Sequence, residues 1–287
     1  MNQFFENRGF WFRLFTLIII ALTAVFVAVT FGTVFASLFF GTAKIADHHI
    51  DTVLFLQAFV SVGLFVVPPL VYARCFGEDL TMKNKPKLLS VVLCVAIMMF
   101  SMPFCSYLEE LNLNMRLPSA FAGLENWMRI QENNAKELTD MILSHREPIY
   151  ILLNVLVIGM IPALGEELFF RGVIQDSLLL KTSKIRGWIC VLITGAIFSA
   201  IHLQFFGFLP RFFLGAVLGF MLLITKSIWT SILCHFCNNT FAVLTAGYFS
   251  NESMNDVPQV FEYKSVIIIS VVLTIFLFWC LKKNEEK

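Results

Sequence analysis

Along the chain, uncharged apolar runs occupy residues 14–43, 52–73, 88–108, 149–165, 187–210, 212–225, 227–251 and 265–281. A helix needs about 20 residues to cross a hydrocarbon core, with about 17 to 25 usual. The first three runs meet that length easily. The fourth meets it only if its helix continues through the polar cluster at 166–176 to about Lys181, and the sixth, 212–225, is short. The pattern predicts an all-α, polytopic integral membrane protein with about eight transmembrane helices.

One long polar insertion, 109–148, interrupts the pattern between the third and fourth spans. Within it Phe121, Leu124, Trp127, Met128, Leu138, Met141 and Ile142 recur at roughly helical spacing, with Glu125, Glu132, Glu137 and Asp140 between them. That spacing predicts one or two amphipathic helices lying on the outer membrane surface. The chain therefore divides into N-terminal transmembrane helices (1–108), an amphipathic surface insertion (109–147), a transmembrane core carrying the candidate chemistry (148–251), and a last helix with a basic tail (252–287).

Composition agrees. With 58% hydrophobic residues, 14% charged and a mean hydropathy of +0.78, the chain carries more apolar surface than a water-soluble fold can bury. The first run has no charge from Leu14 to Ala43, too long for the core of a cleavable signal peptide. The net charge of +1 says nothing about acidic partners; no nucleic-acid partner is expected, and the partner that composition implies is the lipid bilayer. Charge distribution says more. With eight spans and the N-terminus inside, thirteen Lys/Arg fall on the cytoplasmic side and seven outside, which places both termini in the cytoplasm of an expected bacterial membrane. The cysteines at 75, 94, 105, 190, 234, 237 and 280 lie in or beside apolar runs and read as inert thiols.

Ionisable groups inside spans are costly and mark polar cavities or packed interiors. Here they concentrate in three places. The first is Gly165-Glu166-Glu167-Leu168-Phe169-Phe170-Arg171-Gly172. Successive residues on a helix point about 100° apart, so the two carboxylates diverge. Glu167 and Arg171, at i,i+4, can pair, whereas Glu166 has no cation near it in sequence, the situation of a general base. Pro162 and Gly165 are placed to kink this helix and open space beside Glu166. The second place is Phe198-x-x-x-His202 in the run 187–210, and the third is His235-x-x-x-Asn239, on one helix face. A lone membrane histidine is more often a hydrogen-bonded packing residue than a catalyst, and a His/Asn pair is common interhelical glue. Together they supply a carboxylate, two imidazoles and an amide on separate apolar segments.

The ordered set Glu166-Glu167-x-x-x-Arg171, Phe198-x-x-x-His202 and His235-x-x-x-Asn239 resembles the three-motif signature of the CPBP family. That family comprises CAAX proteases and bacteriocin-processing enzymes and includes the type II CAAX-prenyl endopeptidases. The resemblance covers about residues 148–250. It implies that Glu166 is the general base that activates water, that His202 helps to hold that water, and that His235 and Asn239 form an oxyanion hole. Glu167 and Arg171 would hold the architecture around Glu166. The implied substrates are peptides with apolar or lipidated C-terminal segments. A zinc site from Glu166, His202 and His235 is chemically open, but a tightly held zinc is not expected, because the ligands are spread over three helices and include only two histidines.

Two other function classes fit an intramembrane set of carboxylates and histidines. A transporter would use them at mid-membrane, but no inverted repeat is visible and the polar groups occupy one half of the chain. A non-catalytic scaffold or bacteriocin-immunity factor would be free to lose Glu166 or His202. A thiol or metal site at Cys234 and Cys237 is disfavoured, because the two do not share the face of His235 and no second pair lies nearby in sequence.

Overall fold

A computed structural model describes residues 8–42, 49–80, 84–249 and 264–287. Lys44 and Lys83 of the charge pattern, and the start of the C-terminal segment at 252, lie outside the described residues. The described chain is helical, with no strand among the described residues. The long elements are α1 (Phe10–Phe40), α2 (Ile50–Phe76), α3 (Leu88–Leu113), α4 (Ala122–Leu143), α5 (Pro148–Thr182), α6 (Gly187–Ala200), α7 (Phe208–Thr225), α8 (Ile228–Phe249) and α9 (Lys264–Glu285). Among the described residues, six helices are long and apolar enough to cross a membrane: α1, α2, α3, α5, α7 with its preceding turn from Phe205, and α9. Helix α6, at 14 residues, is a shorter apolar helix.

Prolines shape several of these helices. A proline has no N–H, so the carbonyl four residues earlier loses its helical donor, and in lipid water cannot replace it. In α2, Pro68 and Pro69 follow a π-type turn at Val62–Val66. In α3, Pro103 is bridged by Ser270 of α9, whose hydroxyl accepts from the Phe104 N–H (3.3 Å) and donates to the Phe100 carbonyl (2.6 Å). In α5 a π-type segment at Val155–Met160 precedes Pro162, and a second runs Glu167–Thr182. As its length requires, α5 passes straight through the polar cluster.

The described residues form two compact units. The first comprises Met1–Met82, Met141–Arg186 and His235–Tyr248. Here α1 presents large side chains outward along its length (Trp11, Phe26, Leu38 and Phe39 are each about 70% exposed) and buries a narrow stripe of Arg13, Leu17, Ala28, Gly32 and Ala36. Gly63 of α2 lets the two helices touch, because a Cβ there would lie 2.3 Å from that of Ala28. From Phe169 to Leu179, α5 is buried nearly all round, as expected of a helix inside a bundle rather than facing lipid. At one end, Glu78 pairs with Arg13 at 2.6 Å and with Lys181 at 3.7 Å, and the hydroxyls of Tyr72 and Ser177 meet at 3.2 Å. These contacts tie α1 and α2 to the end of α5.

The second unit comprises Lys83–Asp140, Gly187–Cys234 and Phe249–Lys287. Its core joins Cys94, Ile97 and Met98 of α3, Val217, Leu218 and Met221 of α7, Cys234 of α8 and Leu281 of α9. Helices α6 and α7 meet through Gly195 and Gly215, where a Cβ on Gly215 would lie 3.1 Å from the Gly195 Cα.

Two boundaries differ from the sequence reading. The run 187–210 is not one helix. Helix α6 ends at Ala200, and His202 stands in the turn that follows. Arg211, read as a charge outside the sixth span, lies in the first turn of α7, and its guanidinium folds back onto Gln204, 3.2 Å from the carbonyl and 2.6 Å from Oε1. The long arginine stem lets the charge reach polar groups at the helix end while its backbone remains helical.

Candidate functional site

Glu166 ends the α-helical turn that Pro162 begins, and Glu167 starts the wider turn after it. Gly165 allows this bend to sit against α2, where a Cβ would come within 2.9 Å of Phe65. Glu167 and Arg171 are both fully buried and lie 2.9 Å apart, the ion pair that their spacing predicts. Glu167 has a second partner from far along the chain. His235 of α8 donates its Nδ1 proton to Glu167 Oε1 at 2.8 Å. The other ring nitrogen, Nε2, lies 3.9 Å from Glu166 Oε2.

The two adjacent carboxylates therefore diverge, as helix geometry requires, and take the two nitrogens of one imidazole between them. Glu166 and His235 are only 8% and 3% exposed, so this cluster is desolvated. Two carboxylates face one guanidinium. The Glu167 bond also fixes the ring: with Nδ1 carrying the proton given to the carboxylate, Nε2 is the nitrogen turned towards Glu166. Sequence spacing assigned Glu167 to Arg171 alone. The His235 contact joins positions 68 residues apart and leaves no periodic signal.

Asn239 lies one turn beyond His235 on α8. Its Nδ2 donates to the carbonyl of Ile158 at 3.1 Å, and its Oδ1 accepts from Asn238 at 3.2 Å. Ile158 is four residues before Pro162, so the carbonyl reached by Asn239 is the one whose helical donor the proline removed. Gly159 permits the approach, since a Cβ there would lie 3.1 Å from Thr240 Oγ1. Asn239 thus supports the bend in α5 from a neighbouring helix, as Ser270 supports the bend in α3, although Ser270 bridges the Phe100 carbonyl and the Phe104 N–H beside Pro103.

His202 and Phe198 belong to the second unit. Phe198 is buried, and its carbonyl accepts the Nδ1 proton of His202 at 2.7 Å. The rings meet edge-on at 5.1 Å. In the neutral His202 ring this bond leaves Nε2 as the lone-pair nitrogen, the form that binds a water proton or a metal. Among the described residues no group of three or more His, Cys, Asp or Glu is gathered closely enough to hold a metal ion. Cys234 is buried in the core of the second unit and Cys237 is exposed, and neither is in a disulfide.

These features define an integral membrane protein with a buried Glu–Glu–Arg–His cluster formed by α5 and α8. A family model described as Type II CAAX prenyl endopeptidase Rce1-like matches residues 148–241, a segment that runs from the start of α5 past Asn239 and includes all three motifs. The match bears out the family resemblance of the motifs and supports intramembrane endopeptidase activity on a peptide substrate. No curated protein and no solved structure matches the chain.

Proposed function

We propose that this protein is an intramembrane endopeptidase that hydrolyses peptide bonds in apolar or lipidated C-terminal segments. The observation that carries this reading is the desolvated pairing of Glu166 with a His235 ring already oriented by the Glu167–Arg171 pair, within the segment that matches the protease family. Glu166, as the carboxylate, takes a proton from water. The hydroxide attacks the scissile carbonyl carbon, its oxygen becomes an oxyanion, and collapse passes the Glu166 proton to the leaving amine. N–H donors at His235 and Asn239 stabilise the oxyanion, and His202 holds the attacking water through Nε2. The roles of His202 and Asn239 rest on the order of the motifs and on the family match.

Residues 148–251 are the catalytic core of this reading. Helices α6 and α8 also cross the membrane, giving eight spans with both termini cytoplasmic. Helix α4, whose Trp127, Ile130 and Leu138 are all exposed, lies on the outer surface of the bilayer. The reaction runs without a tightly held zinc, so chelation leaves turnover unchanged. Stoichiometric zinc, with activity lost on chelation and restored by zinc, would reverse that assignment.

Terminal-peptide mass spectrometry of membranes from cells expressing the intact chain or its Glu166→Gln form tests the reading and reveals the substrate. New peptide termini that depend on Glu166 support it. Identical terminomes, together with ion- or solute-driven flux in proteoliposomes, would favour a transporter.

A further inference from the structure

His202 is followed by a turn whose own hydrogen bonds, Gly207 N–H to the Gln204 carbonyl at 3.2 Å and Arg211 onto Gln204, are joined by others from outside it. Leu203 adopts φ 54, in the left-handed region that side chains with a Cβ rarely enter. Such a conformation persists only where surrounding contacts over-determine it. The turn must also present the first N–H groups of α7, which have no partner within their own helix.

Those contacts come from the insertion and the helix before it. Glu132 of α4 accepts the Phe206 N–H at 3.1 Å. Asn112, at the end of α3 and 4% exposed, accepts the Leu209 N–H at 2.7 Å and donates to the Phe205 carbonyl at 3.1 Å. The Trp127 ring lies 5.5 Å from that of Phe205, and the Arg129 guanidinium lies 4.0 Å over the ring of Phe206. A carboxylate at a helix N-terminus is also favoured by the helix dipole. All of these residues lie within the second unit.

We infer that helix α4 is a positioning element for His202, with Glu132 and Asn112 as the positioning residues. They hold the turn whose first member carries the imidazole, and so fix the direction of Nε2. The insertion is thus part of the hydrolytic apparatus without touching the substrate. The inference rests on the proposed role of His202 in hydrolysis.

The test uses the full-length protein in detergent and the variants Glu132→Ala, Glu132→Gln and His202→Gln. Glutamine keeps an acceptor oxygen for Phe206, and alanine does not. A shift of the order of an ångström in a reacting group costs about a hundredfold in rate, so Glu132→Ala should lower kcat by about tenfold to a hundredfold with KM within about twofold. Glu132→Gln should restore most of the turnover. In the His202→Gln background, Glu132→Ala should cause no further fall in the residual rate. An equal fall in both backgrounds, or no recovery with glutamine, would overturn the inference. A readout independent of activity is carbethoxylation of His202 followed by mass spectrometry. Its rate should change severalfold in Glu132→Ala and return with Glu132→Gln, and an unchanged rate would overturn the positioning role whatever the reaction. Wild-type turnover in His202→Gln would instead overturn the catalytic reading of His202, leaving the carbethoxylation result to decide the positioning role.

Discussion

His235 and Glu167 are joined by a 2.8 Å hydrogen bond from Nδ1 to a carboxylate that also stands 2.9 Å from Arg171. The guanidinium therefore acts on the imidazole through Glu167. Removing it leaves a buried carboxylate facing the ring and a second carboxylate beside it.

Arg171→Ala should consequently destabilise the fold more than Glu166→Gln does. Breaking a buried pair by removing one partner costs about 3–5 kcal/mol, whereas Glu166→Gln removes a charge and keeps its shape. Thermal melting in detergent checks the order of the two. An unchanged melting temperature for Arg171→Ala would mean that Glu167 carries no buried charge needing compensation.

Asn239 faces two demands, and Pro162 separates them. In the native chain Asn239→Ala strands the Ile158 carbonyl, a loss of about 1–3 kcal/mol for a buried polar group. In a Pro162→Ala background the new N–H can serve that carbonyl, so Asn239→Ala should then cost little stability. An oxyanion donor behaves differently: its removal should lower turnover by about a hundredfold to a thousandfold in both backgrounds. Melting temperature and turnover per folded molecule, measured on the four chains, distinguish the two. A turnover loss that disappears with Pro162→Ala would leave Asn239 as a support for the bend and no more.

Much of this was legible in the sequence. Apolar run length predicted that α5 continues past Glu166, and i,i+4 spacing predicted the Glu167–Arg171 pair. Pro162 announces an unserved carbonyl at Ile158, but only tertiary packing selects Asn239, 81 residues away, to serve it. The His235–Glu167 bond is of the same long-range kind. The end of α6 was missed for a local reason: His202 and its neighbours are uncharged, so the apolar run passes over the turn. Gly207 and Pro210 mark the start of a helix there, and they would have brought Arg211 inside α7.

Outside the membrane-spanning helices, the start of α4 is fastened by Glu125. The Leu117 N–H donates to its Oε2 at 2.9 Å, and Arg129 and Arg116 bond its Oε1. The Leu117 hydrogen bond, then the two guanidiniums, hold the Glu125 carboxyl below its ordinary 4.5, at about 2. Because its folded value is depressed, the stability it lends is present above pH 4.5 and is lost as the pH falls from there through about 2. A carboxyl-carbon NMR titration should find Glu125 still ionised where exposed glutamates are already protonated. A midpoint at the ordinary value would show that these bonds do not hold in solution.

The central claim is that Glu166 activates the water, and the most direct test is turnover by purified Glu166→Gln protein, corrected for its folded fraction, on a peptide identified from the membrane terminome. The Gln side chain keeps the shape of the site and cannot take the proton. General-base catalysis contributes about a hundredfold to ten-thousandfold, so a loss of that size with the melting temperature nearly unchanged is predicted. Turnover close to that of the native chain would contradict the account.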